Sequence, residues 1–229
     1  MKKPSWRKYA LEFLSIFIAV ILAFALNNWN DNRRDRIIEN KILVEIRNGL
    51  EKDIDDIQLN TYGHNRGLES LSFWGDVIVG EPVDEEAFSR HFFDVTRDFV
   101  SIQNRSGYES LKSKGLELIQ DDSLRIQIIS IYEYDFATLE KLEEDYAEMQ
   151  FHHSYFNAMN DILAPYLTFG AEGQISLKKP LNLSEKETAT LQSIFWKIGA
   201  NRYFIIDFYK QVELKVVQLI EKIELYLQE

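Results

Sequence analysis

YALEFLSIFIAVILAFALNNW, residues Tyr9 to Trp29, contains one charge, Glu12, and is dominated by apolar side chains from Phe13 to Leu26. At about 1.5 Å per helical residue this stretch reaches about 31 Å, close to the roughly 30 Å of hydrocarbon in a bilayer. Trp6 and Tyr9 at one end and Trp29 at the other stand where amphipathic rings lie at headgroup level. Residues 9–29 therefore read as one membrane-spanning helix, with the lipid bilayer as its partner, preceded by a basic tail over residues 1–8. The rival reading is a cleaved signal peptide, because Lys2, Lys3, Arg7 and Lys8 form a basic start and Ala23-Phe24-Ala25 has the small-x-small form of a cleavage site. No Gly or Pro breaks the helix before that point and the helical pattern continues beyond it. A retained signal-anchor is expected.

Past the anchor, residues 30–229 are enough chain for one sizeable core, and no composition break divides them. The net charge is −11, and the first twelve residues (four basic, one acidic) contribute +3, which leaves −14 on the rest. Such a surface repels phosphate backbones, so nucleic acid is excluded as a partner. The absence of cysteine excludes disulfides, thiolate metal sites and cysteine nucleophiles. Lys2, Lys3, Arg7 and Lys8 before the span are matched by Arg33, Arg34, Arg36 and Lys41 after it, so the basic residues flanking the helix tie. The α-amino group adds to the short tail, and long domains translocate largely regardless of charge. The expected arrangement is an inner-membrane protein with a cytoplasmic N-terminus and an extracytoplasmic body.

Ile38, Ile42, Ile46, Leu50, Ile54 and Ile57 continue at helical spacing, which predicts a stalk over about 31–60 that grows out of the anchor. Leu68, Leu71, Trp74 and Ile78 extend it to the stop at Gly80-Glu81-Pro82. Asp84 is the expected cap of a short helix with Phe88, Phe92, Val95 and Phe99 on its apolar side. Ser106 to Glu109 has capping-box form, and Gly115 suits the residue after a two-turn helix. From Asp121-Asp122 the apolar positions Leu124, Ile128, Ile131, Leu139, Leu142, Tyr146, Met149 and Phe156 predict one long helix to Pro165. Residues 174–177 alternate as a short extended piece, and Ser184 to Glu187 is a second capping box. The final helix, Glu185 to about Leu227, carries a heptad seam through Ile205, Tyr209, Val212, Val216, Leu219, Ile223 and Tyr226, with its weak point at Gly199-Ala200-Asn201, where the seam drifts and a kink could split it in two. The fold class is all-α, a transmembrane helix continuing into an antiparallel bundle of long helices.

Glu12, placed fifteen residues before Asn27-Asn28-Trp29-Asn30-Asp31 and followed by a long amphipathic helix, resembles a bacterial family of single-pass membrane proteins of unknown function. Gly107 to Lys112, Gly115 to Ile119 and Leu124 are similar to the central segment of that family. The resemblance spans roughly the first half of the chain. It implies an anchored helical domain and supplies no catalytic residue.

The four histidines, His64, His91, His152 and His153, lack a Glu three residues before them, so the di-iron bundle signature is absent. Glu148 and His152 are four apart with Glu144 and Asp145 nearby, a weak cation candidate against a solvated polar face. Glu133 to Glu148 holds seven acids and one Lys, a run expected to face solvent. No phosphate-loop, dinucleotide, nucleophile-elbow or zinc-protease motif occurs. Glu12 is an intramembrane acid, within reach of Lys8 one turn back, which favours interfacial snorkelling. Ser15, Ala19 and Ala23 put small side chains on one face of the anchor, a candidate surface for a homo-oligomer. No catalytic, cofactor-binding or metal residue is assigned and no cofactor is expected. These observations favour a non-catalytic, membrane-anchored interaction or scaffold protein of the bacterial envelope, working on some envelope protein. The alternative is a sensory or small-ligand-binding helical bundle, with a metal-dependent enzyme third.

Overall fold

The computed structural model describes residues 6–178 and 180–228, with the backbone alone for Arg7 and Lys8. It is 81% helical and 3% strand, hence all-α. One helix, α1 (Trp6–Val79, 74 residues), begins in the apolar stretch and continues without a break, about 110 Å in all. Gly80, at φ +81°, ends it in the left-handed conformation that a residue with a Cβ avoids, and Pro82 follows. Every described side chain from Tyr9 to Asn30 is exposed, so the N-terminal part of α1 is an apolar helix long enough to cross a membrane. Residues 31–37 bury nothing. From Ile38 the same helix becomes the backbone of a folded body, with Ile42, Leu43, Ile46, Leu50, Ile57 and Trp74 buried along one side.

The last helix, α7 (Glu185–Leu227, 43 residues), runs antiparallel to the body half of α1 and matches it in length. Gln58 bonds Glu213 at 2.7 Å, His64 meets Arg202 at 3.0 Å, and Tyr226 donates to Glu39 at 2.8 Å, partners in reverse order along the two helices. Ser184 and Glu187 form the predicted capping box. Ile205, Tyr209, Val212, Val216, Leu219 and Ile223 are all buried, as the heptad spacing requires. Gly199-Ala200-Asn201 does not split the helix, and α7 is continuous. Gly199 instead lets α1 come close, since a Cβ there would stand 3.3 Å from Leu71.

The second partner of α7 departs from expectation. In place of one helix from Asp122 to Leu163, the chain forms α4 (Asp122–Ser130), a π-helical turn (Ile131–Asp135), α5 (Phe136–Glu144), a break, a second π-turn (His152–Phe156) and α6 (Asn157–Leu163). The break falls where Glu143, Glu144 and Asp145 crowd a helix C-terminus, the end whose dipole repels acids. Side chains satisfy the freed carbonyls: Gln150 donates to Glu143 O, and Ser154 to Ala147 O at 2.7 Å. Tyr146, which the helical pattern turned inward, is exposed at the break. Lys222 to Ser123 and Lys215 to Asp135, both 2.6 Å, and Tyr209 to Glu143 show α4 and α5 antiparallel to α7.

Two short helices close the bundle. The first, α2 (Phe88–Asp94), starts later than expected because Asp84 accepts from Glu86 N in a turn and caps no helix. It also ends before Phe99. The second, α3 (Ser106–Lys114), begins from Arg105, whose side chain is held by Glu140 at 2.6 Å; Ser106 lies inside the helix and its capping box does not form. Gly115, at φ +100°, ends it as predicted. Gly107 is required by packing, since a Cβ would stand 2.7 Å from Ile46 N on α1. Residues 167–177 form a hairpin, β1 (Leu167–Phe169) paired with β2 (Ile175–Leu177), which includes the predicted extended piece.

Candidate functional site

Where α1 and α7 cross at mid-height, two glycines one turn apart, Gly63 and Gly67, flank His64 and leave gaps in the side chains that α1 presents. A Cβ on Gly67 would be 2.4 Å from the Arg202 guanidinium and one on Gly63 would be 2.2 Å from Phe99. Arg202 is wholly buried in that space. Its Nη2 donates to the carbonyls of Asp94 (3.2 Å), Val95 (3.1 Å) and Arg97 (2.9 Å), and its Nη1 to His64 Nδ1 (3.0 Å). The Phe151 ring covers its carbon at 4.4 Å. Because arginine only donates, His64 is the tautomer protonated at Nε2, which has no hydrogen-bond acceptor among the described residues and faces aromatic rings. Burial, then the adjacent guanidinium, push His64 down to about 3, so it is neutral. Burial also lowers Arg202 to about 10, still charged at neutral pH, with Asp98 and Asp94 opposing the shift.

The three carbonyls belong to the end of α2 and to the irregular connection 95–105, which lies against α1. A connection sunk into a helical bundle needs partners for its backbone, and past the bonds of Val95 and Arg97 to the end of α2 these come from side chains. Carboxylates supply them. Asp56 accepts from Ile102 N (2.9 Å), Asp53 from Asn104 N (2.7 Å), and Glu143 from both Ser101 N (3.0 Å) and Ser101 Oγ (2.9 Å). Glu143 also accepts from Tyr209 OH. Desolvation raises Asp53 to about 6 against the opposing bonds from Asn104, and raises Glu143 and Asp98 in the same way. Next to this connection Asp94 pairs with Arg66 at 2.5 Å. The assembly holds an internal cation and several carboxylates in hydrogen bonds to its own backbone. Its chemistry is that of a structural lock.

Several grooves lie apart from the lock, among them one at the distal end of the body and one against α7. The larger, about 490 Å³, is at the end of the body farthest from the apolar stretch and is lined by Val77, Ile78, Val79, Pro82, Leu177 and Leu181 among others. The smaller, about 200 Å³, lies between the first π-turn and α7, where buried Asp135 holds Lys215. Pairing of a Lys with the acid makes this smaller groove electrically balanced.

Glu148 sits in a 3₁₀ turn (Ala147–Met149) and His152 in the following π-turn, so the helical face they were to share does not exist. Among the described residues no three His, Asp or Glu side chains are placed to hold a metal ion. The acidic run is not uniformly solvated, since Asp135 and Glu143 are buried with Lys215 and Tyr209 as partners. His64 and His91 are core residues; His91 bonds Ser70 Oγ at 2.9 Å and stacks on Phe73 at 4.2 Å. Ser15, Ala19 and Ala23 are exposed on α1, and Ser15 Oγ donates to Glu12 O at 2.8 Å. The Met1–Ser5 part of the basic tail and the Lys8 side chain lie outside the described residues. Arg202, Asp53 and Asp56 were missed in the sequence; the signal available was Gly63 and Gly67, four apart inside an otherwise strong helix. Comparison with known families, with curated proteins and with solved structures finds no match to this chain.

Proposed function

We propose that this protein is a membrane-anchored, non-catalytic helical interaction protein of the bacterial envelope, with its N-terminus in the cytoplasm and its body outside. One observation carries the reading: a single helix continues from the apolar stretch to the distal end of the body. A body built on such a helix stands as a stiff pillar, about 63 Å from residue 38 to residue 79, on a neck of about 10 Å. Buried Arg202, Asp53 and Glu143 support the same reading, because they are spent on fixing connection 95–105. Such a pillar is suited to holding a partner at a set height above the bilayer, and the resemblance to a family of anchored helical domains agrees with it.

The test is topology first. Alkaline phosphatase fused after Glu229 should be active and a cytoplasm-only reporter dark; the opposite pattern overturns the localisation. The second reading, a small-ligand-binding bundle, is favoured by the apolar groove at the distal end, whose volume is within the roughly 300–1,000 Å³ range of ligand sites. A metabolite that raises the melting temperature of the detergent-purified protein, with that rise lost in Val77→Trp, would favour it over the scaffold.

A further inference from the structure

The helix α7 has two heptad stripes, and only one of them is buried. On the face opposite the inner seam, Trp196, Ala200, Tyr203, Asp207, Lys210 and Leu214 follow steps of four and three. At about 100° per residue these six fall within one narrow stripe. Trp196 is 73% exposed, Tyr203 67% and Leu214 59%, although long helices of soluble bodies ordinarily turn such rings inward. Between the rings and Leu214 stand one acid and one base, on either side of the centre line.

We propose that this outer stripe of α7 is a parallel homodimer interface. The inference rests on the anchored reading of α1. Two copies held in one membrane can be related only by an axis along the membrane normal, so their α7 helices run parallel and like residues face one another. Tyr203 then meets the partner copy's Tyr203, and Trp196 the partner copy's Trp196. In the same packing the Asp207 side of one helix adjoins the Lys210 side of the other, which gives a neutral cluster of four charges at the centre. A polar layer inside an apolar seam is a device that fixes register and orientation. The same two charges make a purely apolar occupant less apt, because it would take Lys210 out of water without an acceptor and leave Asp207 only its bond from Gln211. A stripe of this length is short for association in free solution. Confinement to one membrane plane raises the effective concentration enough for a modest contact to be populated.

The absence of native cysteine gives a direct test with the full chain in membrane vesicles. Under mild oxidation Tyr203→Cys should form a disulfide-linked dimer, whereas Tyr134→Cys, at 66% exposure on the first π-turn, should not. In the Tyr203→Cys background Lys210→Asp replaces the neutral cluster with four acids and should cut cross-linking about fivefold. Adding Asp207→Lys to Lys210→Asp should restore it. Equal cross-linking at 203 and 134, or no response to the charge changes, would sink the interface. Flotation of the same vesicles after alkaline extraction reports the anchor separately. Loss of flotation would refute the anchored reading, and failure of Tyr203→Cys alone would refute only the dimer.

Discussion

The two halves of α1 place similar residues under opposite rules. Between Tyr9 and Asn30 its large apolar side chains point outward all round; between Ile38 and Ile78 most of them, Leu59 and Tyr62 excepted, point to one side and are covered by α7, α3 and α2. The first half has no interior, so composition alone describes it. The second half is specified by what must lie against it: Gly49, Gly63 and Gly67 on the sides that other chain segments approach, and Asp53 and Asp56 where a connection needs acceptors. A helix inside a body carries the shape of its neighbours in its sequence. An apolar helix without neighbours carries only length and hydropathy.

The most damaging way to probe this contrast is a charge in the covered seam. Val216→Asp buries a carboxylate with no partner, at a penalty large enough to unfold or dissociate the body, so helicity by circular dichroism should be lost at ambient temperature. Gln218→Asp, on the exposed face, should melt within about 0.5 kcal/mol of the parent. If Val216→Asp melts like the parent, the inner seam is not the core and the bundle described here is wrong.

Next in size is the lock. Arg202→Met removes the donor to three buried carbonyls and should destabilise the body by about 3–5 kcal/mol in denaturant titration. Arg202→Lys should recover little of that, because an ammonium cannot reach His64 and the carbonyls in one plane. Full recovery by Lys would show that the site needs charge alone.

The same substitution placed in the neck and in the body sharpens the comparison directly. Asp55→Pro, on an exposed position of the covered half, breaks the helix under the lock and should reduce stability by about 3 kcal/mol. Asp35→Pro, in the neck, should leave the melting of the body unchanged while bending it relative to the apolar stretch. A matching loss from Asp35→Pro would mean that the neck contributes to folding.

The smallest expected effect is on pH dependence. Asp53 has a folded value of about 6, above its ordinary unfolded value, so its contribution is complete at acid pH and is lost as pH rises through 6. His64, at about 3 in the fold, does the reverse: its contribution is complete above its ordinary value of 6.5 and is lost as pH falls. The two nearly offset one another between about pH 4.5 and 6.5. Asp53→Asn should therefore unmask a fall of about 2 kcal/mol on acidification from pH 6.5 to 4.5, where the parent is flatter. Parallel pH profiles for the two proteins would show that Asp53 is charged throughout.

The sequence by itself determined the long apolar stretch at the start of α1, its continuation to Gly80, the cap at Ser184 and the inner heptad of α7. Each is a local quantity: hydropathy over a window, a side chain reaching an amide three residues on, or a period of three and four. The tertiary structure alone decided the break after α5, the early end of α2 and the burial of Arg202. The apolar pattern from Leu124 to Phe156 is helical in period, and what interrupts it is three acids at a helix end and the demands of Phe151, which must turn to cover an arginine more than fifty residues away. Likewise Asp53, Asp56 and Glu143 look like any solvated acids on helices until a connection distant in sequence presents its amides to them. Burial of a polar group is settled by a partner remote along the chain, and a period read along one helix contains no information about which partner arrives.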